Sequence, residues 1–215
     1  MALFITFEGG EGSGKTVQAR ALYRRLSRLD IPALLIQEPG GTSLGRKLAR
    51  LLKWAKDTDI SPLTELLMFN ASRTQLVDEV IQPNLRGGKV IICDRYADST
   101  TAYQSYGRGL TLEMVKAINN AATGELKPDL TVLLDIPPEE GLARKRPKRC
   151  DRFEQEDIAF HRRVREGYLK IAASEPERWL VIDASQSKAE IEQIIWRRVS
   201  PLLQYRIDKP SLSQL

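Results

Sequence analysis

Short runs of apolar residues alternate along this chain with longer segments in which apolar residues recur every three or four positions. The short runs predict buried β-strands, and the longer period predicts amphipathic helices. The predicted strands are 3–7, 33–37, 89–93, 130–135 and 179–182. Because strands and helices alternate throughout, we predict an α/β fold of three layers, with a five-stranded parallel sheet and helices on both faces.

The predicted helices fill the intervals between these strands. Ser61-Pro62 is typical of a helix start, and Ser187 with Glu190 predicts a capping box that opens the last helix. Pro83 and the glycines after it are expected to stop a long helix near residue 81. The predicted ranges are 17–29, 43–55, 62–81, 111–123, 139–146 and 154–174, with a final helix from 187.

The length and composition indicate one globular domain. A chain of 215 residues can bury a full core, and we expect residues 1–205 to form it, followed by a polar tail at 206–215. No apolar run approaches the roughly 20 residues that cross a bilayer. No basic segment precedes the first apolar run, and Cys93 and Cys150 lack metal-ligand spacing. We therefore expect a cytoplasmic protein with free thiols and no membrane partner.

The formal net charge of +5 is concentrated in one segment, where six basic residues lie between 144 and 152. Three interpretations are open: a solvated charged surface, a nucleic-acid patch, or a mobile lid that closes over a phosphorylated ligand. The nucleic-acid interpretation is weakened because no aromatic residue lies between Arg144 and Arg152. Pro147 interrupts any continuous helix there, which favours the lid, at about 144–153.

A glycine-rich turn directly follows the first predicted strand and satisfies the pattern G-x-x-x-x-G-K-[ST] without mismatch. In such a phosphate loop the backbone N–H groups surround phosphates, the lysine reaches the β- and γ-phosphates, and the last hydroxyl binds Mg²⁺. A flexible turn without a ligand is the alternative. The loop consists of Gly9, Gly10, Glu11, Gly12, Ser13, Gly14, Lys15 and Thr16.

A second polar cluster, Asp94-Arg95-Tyr96, follows the apolar run 90–93. Since parallel strands bind ligands at their carboxyl ends, Asp94 is a candidate Mg²⁺ group and Arg95 a candidate phosphate group. The alternative is a surface ion pair. With the phosphate loop, these residues predict phosphoryl transfer from ATP; GTP is disfavoured because no Asn-Lys-x-Asp motif occurs.

Several segments together resemble the thymidylate kinase family, most closely its bacterial form. They are FEGGEGSGKT at 7–16, EPGGT at 38–42, TELLMFNASR at 64–73, DRYADSTTAYQ at 94–104 and DRFE at 151–154. The resemblance extends from residue 3 to about 205. It implies the P-loop NTPase fold of nucleoside monophosphate kinases, a homodimer, and transfer of phosphate from ATP with Mg²⁺ to dTMP.

The resemblance also implies the role of individual residues. Phe69 would stack on thymine, Arg73 would donate to a thymine carbonyl, and Gln104 would pair with the amide edge of the ring and reject cytosine. Tyr103 would lie against the sugar and exclude a 2′-hydroxyl. Further contacts are implied for Glu38, Pro39, Arg50, Arg95, Ser99 and Thr100 with dTMP, for Thr16 and Asp94 with the metal, and for Arg144 with ATP phosphate.

Two arginines of the family pattern are ambiguous in this chain. The arginine expected after EPGGT aligns with Ala49, so that Arg50 or Arg46 would have to replace it. The phosphate loop has no arginine, and the resemblance therefore implies a catalytic arginine in the lid. Arg149 is the leading candidate beside Arg144 and Arg152. The catalytic set is then Glu11, Lys15, Arg95 and Arg149.

Two alternative functions remain open from the sequence. A deoxynucleoside kinase acting on thymidine would share the fold but would need a general base near the 5′-hydroxyl. A phosphate-loop ATPase that binds nucleic acid would use the basic segment to contact the nucleic acid rather than to close over ATP. Activity on nucleotide acceptors distinguishes both from a dTMP kinase, for which ATP and dTMP are the expected partners.

Overall fold

The computed structural model describes residues 2–55, 58–144 and 151–207, with side chains up to residue 203. The strands form the predicted five-stranded sheet, all parallel, in the order β2-β3-β1-β4-β5. Their bounds are Leu3–Glu8 (β1), Ala33–Gln37 (β2), Val90–Asp94 (β3), Leu130–Asp135 (β4) and Trp179–Asp183 (β5). The predicted fold class is therefore confirmed.

Helices cover both faces of this sheet. The first four are α1 (Lys15–Arg28), α2 (Ser43–Trp54), α3 (Pro62–Leu76) and α4 (Gln82–Arg86), with a π-helical segment Val77–Ile81 between the last two. The others are α5 (Ala97–Thr100), continued by π-helical Thr101–Gly107, then α6 (Leu112–Thr123), α7 (Pro138–Ala143), α8 (Ile158–Ser174) and α9 (Lys188–Ile207). None of the helices in these described ranges is long and apolar enough to span a membrane.

Strand β1 shows how the sequence divides the core. Successive side chains of a strand point to opposite faces. Leu3, Ile5 and Phe7 pack into the cluster beneath α1 and α9, whereas Phe4 packs on the other face in the cluster that includes Leu76 of α3. Every residue of β1 is buried. A run that is apolar on both faces is what a central parallel strand requires.

The helix starts predicted from caps are confirmed. Ser61 Oγ accepts from the Thr64 N–H (3.3 Å). The backbone N–H of Ser187 donates to Glu190 Oε2 (3.0 Å), and the Glu190 N–H donates to Ser187 Oγ (3.3 Å). These side chains satisfy N–H groups that have no partner within the helix.

The prediction that Pro83 stops the long helix was wrong, because the helical path continues through it to Arg86. A proline removes one N–H and crowds the preceding turn, and the wider π-helical segment before it accommodates both effects. Asn84 Nδ2 also donates to the Val80 carbonyl (2.7 Å). Gly87 then ends the helix. The helical stretch 97–107 was not predicted, and α8 begins at Ile158 rather than at 154.

The sheet places the two candidate phosphate segments side by side. β1 and β3 are neighbours, and Phe7 lies opposite Asp94 in their register. The loop after β1 and the residues after β3 therefore leave the same edge of the sheet, where the Arg95 N–H donates to the Phe7 carbonyl (3.0 Å). This edge is the carboxyl end of the strands, where open α/β sheets bind ligands.

Candidate active site

The backbone of the phosphate loop packs closely against α7. Gly12 has a φ of +68°, and a Cβ there would lie 1.8 Å from the carbonyl oxygen of Gly141. A side chain at this position would push the loop from its support. Helix α1 begins directly at Lys15, so that its free N–H groups and its dipole face the space enclosed by the loop.

Lys15 is folded back onto the loop that precedes it. Its Nζ donates to the carbonyl oxygens of Gly9 (3.0 Å) and Gly10 (2.6 Å). Burial, reinforced by nearby Arg95, lowers the pKa of Lys15 from 10.5 to about 7. A triphosphate at this point would favour the charged ammonium form, because opposite charges stabilise each other most where water is excluded. We therefore expect proton uptake when ATP binds near neutral pH.

Thr16 and Asp94 form the candidate metal position. Thr16 Oγ1 donates to Asp94 Oδ2 at 2.5 Å, which joins the start of α1 to the end of β3. No group of three or more acidic, histidine or cysteine side chains among the described residues could enclose a metal. One hydroxyl and one carboxylate fit Mg²⁺, which commonly binds few protein oxygens and takes its other ligands from water and substrate phosphates.

Arg95 connects the loop to the rest of the site. It has a φ of +74°, which directs the side chain back across the sheet edge. Its Nη2 donates to Glu11 Oε1 (2.6 Å) and its Nη1 to the Gly9 carbonyl (3.2 Å). The Tyr103 hydroxyl also donates to Glu11 Oε1 (2.9 Å). The guanidinium is thus fixed in one orientation at the mouth of the phosphate loop.

Glu8, at the end of β1, lies beneath this group and is completely buried. It accepts from the Tyr96 N–H (2.7 Å), from Ser99 Oγ (2.5 Å) and from the Tyr168 hydroxyl (3.0 Å). Burial, with the charge of Asp98 next in importance, raises the pKa of Glu8 from 4.5 to about 7. Glu8 therefore ties the end of β1 to the segment after β3.

One cavity of about 340 Å³ extends from the phosphate loop to α3. It brings together most of the residues predicted from the sequence. Those that line it are Glu11, Gly12, Gly14, Lys15, Thr16, Glu38, Pro39, Phe69, Arg73, Asp94, Arg95, Ser99, Thr100, Tyr103, Gln104 and Arg144. Gly9, Gly10 and Ser13 belong to the loop but not to this lining.

Arg73 is the centre of the end farthest from the loop. It is 1% exposed, and its Nε pairs with the buried carboxylate of Glu38 at 2.9 Å. Its Nη1 donates to Asn119 Oδ1 (2.9 Å) and its Nη2 to Thr100 Oγ1 (2.6 Å). Burial raises the pKa of Glu38, and the charge of Arg73 counteracts that shift. The guanidinium thus joins α3 to α5, to α6 and to the turn after β2.

The aromatic wall of the cavity comes from three parts of the chain. The ring of Phe69 lies 5.7 Å from that of Phe153, and Phe153 lies 6.0 Å from Tyr103 in an edge-to-face arrangement. Such rings provide a flat apolar face of the size of a base. Gln104 is 1% exposed, and its Nε2 donates to Glu65 Oε1 (2.7 Å).

The structure does not bring Arg50 to the cavity. Arg50 is exposed on α2, whereas Lys53, three residues later, lines the cavity. A shift of one residue turns a helical side chain by about 100°. Ala49 and Lys53 are four residues apart and share one face of α2, so that a lysine one turn later reaches the cavity from the face where the resemblance implies an arginine.

The predicted lid falls largely outside the described residues, and Arg149 is among those not described. Arg144 lines the cavity and donates to the Ala184 carbonyl (2.9 Å). Arg152 is directed elsewhere: its Nη2 pairs with Glu65, and its Nε donates to the Leu52 carbonyl (3.1 Å). Arg152 therefore connects the last residues of the predicted lid to α2 and α3 rather than to the phosphate loop.

Sequence reasoning missed four residues that shape the site: Glu8, Lys53, Glu65 and Tyr168. Glu8 could have been recognised as an acidic residue at the end of a predicted buried strand. Burial of a carboxylate without partners is unfavourable, so that such a residue is expected to have specific contacts. Lys53 could have been found from its helical spacing to Ala49. Glu65 and Tyr168 had no local signal, because their partners lie 39 and 160 residues away.

A loop of this geometry at the carboxyl edge of a parallel sheet places the chain among the P-loop NTPase folds. The thymidylate kinase family model matches residues 7–195. A thymidylate kinase of Dehalococcoides mccartyi is 55% identical to this chain, over 94% of this chain and 98% of its own length. A thymidylate kinase of a Synechococcus species is 49% identical to this chain, over 94% of this chain and 96% of its own length. The chain belongs to the thymidylate kinase family, as the resemblance of its motifs predicted.

A solved structure agrees with this assignment. The crystal structure of the thymidylate kinase of Ehrlichia chaffeensis is similar with a TM-score of 0.74 and 33% sequence identity. The similarity covers 93% of this chain and 98% of that one. The whole fold, and not the phosphate loop alone, is therefore shared with this relative.

Proposed function

We propose that this protein transfers the γ-phosphate of ATP to dTMP and produces ADP and dTDP. The observation that carries the proposal is that one continuous cavity is lined both by the phosphate loop and by Phe69, Arg73 and Gln104. Family membership supports the same reaction. Both substrates can then lie head to head, with their phosphates between Lys15 and Arg95.

The phosphate end supplies positioning and positive charge. The loop amides and Lys15 hold the β- and γ-phosphates of ATP, while Arg95 faces the phosphate of dTMP. A phosphate oxygen of dTMP forms a bond to the γ-phosphorus as the bond to the ADP oxygen breaks. Because the second pKa of a phosphate monoester is about 6, the acceptor is already ionised near neutral pH and needs no general base.

Thr16 and Asp94 would hold the Mg²⁺ that accompanies ATP. The ion would supply positive charge that offsets the negative charge developing on the phosphates during transfer. Asp94 can act directly or through a bound water, and its hydrogen bond to Thr16 keeps both oxygens at the loop. The chain itself contributes the orientation of these two oxygens.

The other end would recognise the base and the sugar. Phe69 stacks on thymine, Arg73 donates to a carbonyl, and Gln104 pairs with the amide edge. Tyr103 lies against the sugar, where its hydroxyl is held by Glu11. A ribose 2′-hydroxyl would meet this fixed ring, which supports a preference for deoxyribose.

The basic segment would complete the site by closing over ATP. We propose that Arg149 reaches the transferring phosphate upon closure and that Arg144 contacts ATP. Support comes from the absence of an arginine in residues 9–16 and from the position of Arg144 in the cavity lining. Closure would also exclude water and limit hydrolysis of ATP.

A homodimer in the cytoplasm is the state we propose for the working enzyme. Four exposed leucines support the dimer: Leu44 and Leu51 on α2, and Leu63 and Leu67 on α3, between 43% and 53% exposed. α2 and α3 pack against each other, so that the leucines lie on adjoining helices. Apolar surface of this kind is typical of subunit interfaces. Sedimentation at several concentrations tests this proposal.

A coupled assay of ADP release with dTMP, dUMP, dCMP, UMP, AMP and thymidine as acceptors tests the proposed reaction. We expect kcat/KM to be highest for dTMP and activity to require Mg²⁺. Activity on thymidine but not on dTMP would select a deoxynucleoside kinase. ATP hydrolysis stimulated by DNA, without any acceptor, would select a nucleic-acid-dependent ATPase.

A further inference from the structure

Glu65 is a buried carboxylate that does not itself line the cavity. It lies on α3 with 0% exposure. It accepts from Gln104 Nε2 at 2.7 Å and from Arg108 Nε at 3.1 Å, and it also pairs with Arg152. Gln104 is the only one of these three partners that lines the cavity, within the part of the chain that the structure describes. Glu65 thus stands directly behind the residue proposed to read the base.

A glutamine amide is ambiguous by itself, because its oxygen accepts and its nitrogen donates from nearly the same shape. A carboxylate between two guanidinium groups can only accept. Gln104 must therefore turn its Nε2 toward Glu65, and its Oε1 is turned away from Glu65. The second Nε2 hydrogen is left free for another partner.

Thymine and cytosine differ in the order of donor and acceptor along the same edge of the ring. Thymine carries a donor at N3 and an acceptor at O4, whereas cytosine carries an acceptor at N3 and a donor at N4. With Nε2 bound to Glu65, the Gln104 Oε1 can accept from N3–H of thymine while the remaining N–H donates to O4. The flipped amide would instead offer a donor to N3 and an acceptor to N4 of cytosine. The orientation of Gln104 therefore decides which base edge is accepted.

We propose that Glu65 is a positioning residue that fixes the orientation of the Gln104 amide and thereby rejects cytosine. This inference rests on the proposed dTMP kinase activity and assigns one part of its specificity. Arg108 strengthens the arrangement, since its Nη2 also pairs with Glu156 at 2.7 Å and holds the guanidinium beside Glu65. Arg108 and Arg152 thus hold the Glu65 carboxylate in place, and Gln104 is its third partner.

The test is the ratio of kcat/KM for dTMP to that for dCMP in Glu65→Gln. A glutamine at 65 can donate as well as accept, so that Gln104 is free to flip. The expected result is a fall of the dTMP/dCMP ratio by at least about tenfold, the effect of one or more buried hydrogen bonds. The dTMP/dUMP ratio should stay unchanged, because the 5-methyl group is not read by Gln104.

A matched control separates positioning from loss of a buried charge. Asp98→Asn also neutralises a buried carboxylate, in the pair with Arg178 (2.7 Å), outside the lining of the cavity. It should lower thermal stability while leaving the dTMP/dCMP ratio as in wild type. Equal falls of this ratio in both variants would overturn the inference.

A second variant guards against a protein that does not fold. Glu65→Asp keeps the charge opposite both arginines but withdraws the carboxylate from Gln104 by one methylene group. We expect a smaller fall of the dTMP/dCMP ratio. A ratio that stays at the wild-type value in both Glu65 variants overturns this inference alone. A wild-type protein without preference for dTMP would overturn the proposed function, and the inference with it.

Discussion

The two ends of the cavity are built in different ways. At the phosphate end, Lys15 is bound by Gly9 and Gly10, six and five residues before it. At the base end, Arg73 is bound by Glu38 from 35 residues away and by Asn119 from 46 residues away. The first arrangement is local in the chain, and the second requires the complete fold.

The difference follows from what each end must recognise. Phosphates are alike in all nucleotides, and backbone amides, a lysine and a helix N-terminus bind them without reading identity. A base is read by side chains on several elements, and burial of their charges requires exact partners. We therefore expect substitutions at the phosphate end to affect turnover, and those at the base end to affect affinity, specificity and stability together.

The largest effect should come from Lys15→Ala. Removing the amine that we propose binds the transferring phosphate should lower kcat by about 1,000-fold or more. Folding should be intact, because the hydrogen bonds of Lys15 are made to backbone of the same loop. Steady-state ADP release measures the effect, with Lys170→Ala as the control, since Lys170 pairs with Glu166 on the surface. A loss of less than tenfold would contradict this role.

Asp94→Asn should have the next largest effect. The amide retains the shape and can still bond Thr16, but it loses the charge that would hold Mg²⁺. We expect kcat to fall by about 100-fold and the Mg²⁺ concentration for half-maximal activity to rise. Titration of Mg²⁺ at saturating ATP and dTMP measures both quantities. An unchanged Mg²⁺ requirement would remove Asp94 from the metal position.

At the base end, Arg73→Met should lower stability as well as dTMP turnover. It leaves the Glu38 carboxylate buried without its charge partner, which costs about 3–5 kcal/mol of unfolding free energy. The double variant Glu38→Gln/Arg73→Met should recover much of the stability but not kcat/KM for dTMP. Urea unfolding and acceptor kinetics separate the two effects. Recovery of both would show that Arg73 serves the fold alone.

The buried Glu8 predicts a pH effect with a defined sign. Its pKa of about 7 in the folded protein exceeds the ordinary value of 4.5. Between these values the folded state binds more protons than the unfolded state, so that stability falls as pH rises. Glu8→Gln removes this loss. Its stability relative to wild type should therefore be greater at pH 8 than at pH 5, by about 2–3 kcal/mol.

Chemical denaturation of both proteins at pH 5 and pH 8 measures this difference. Effects of the substitution on hydrogen bonds to Tyr96 and Ser99 are present at both pH values and cancel in the comparison. An equal difference at the two pH values would mean that Glu8 does not carry the shifted pKa.

The same contrast explains what the sequence could predict. The strands, their parallel direction and the phosphate loop could be predicted from local patterns, because the elements are specified by contiguous residues such as those of 9–16. The partners of Glu65 and Tyr168 could not be predicted, since they depend on how distant helices pack. The position of Arg50 outside the cavity lining has the same origin: a motif gives the residue type, but the helical phase decides which side chain reaches the cavity.

The central claim is that the phosphate end of the cavity binds ATP phosphates and the other end binds the base of dTMP. Binding of dTMP without ATP, measured by isothermal titration calorimetry, tests this claim most directly. Lys15→Ala should bind dTMP with a Kd within about threefold of wild type, since the role we propose for Lys15 is to bind the phosphates of ATP. Phe69→Ala should weaken binding at least about tenfold, because it removes the stacking face for the base. Equal losses of dTMP affinity in both variants would contradict this claim.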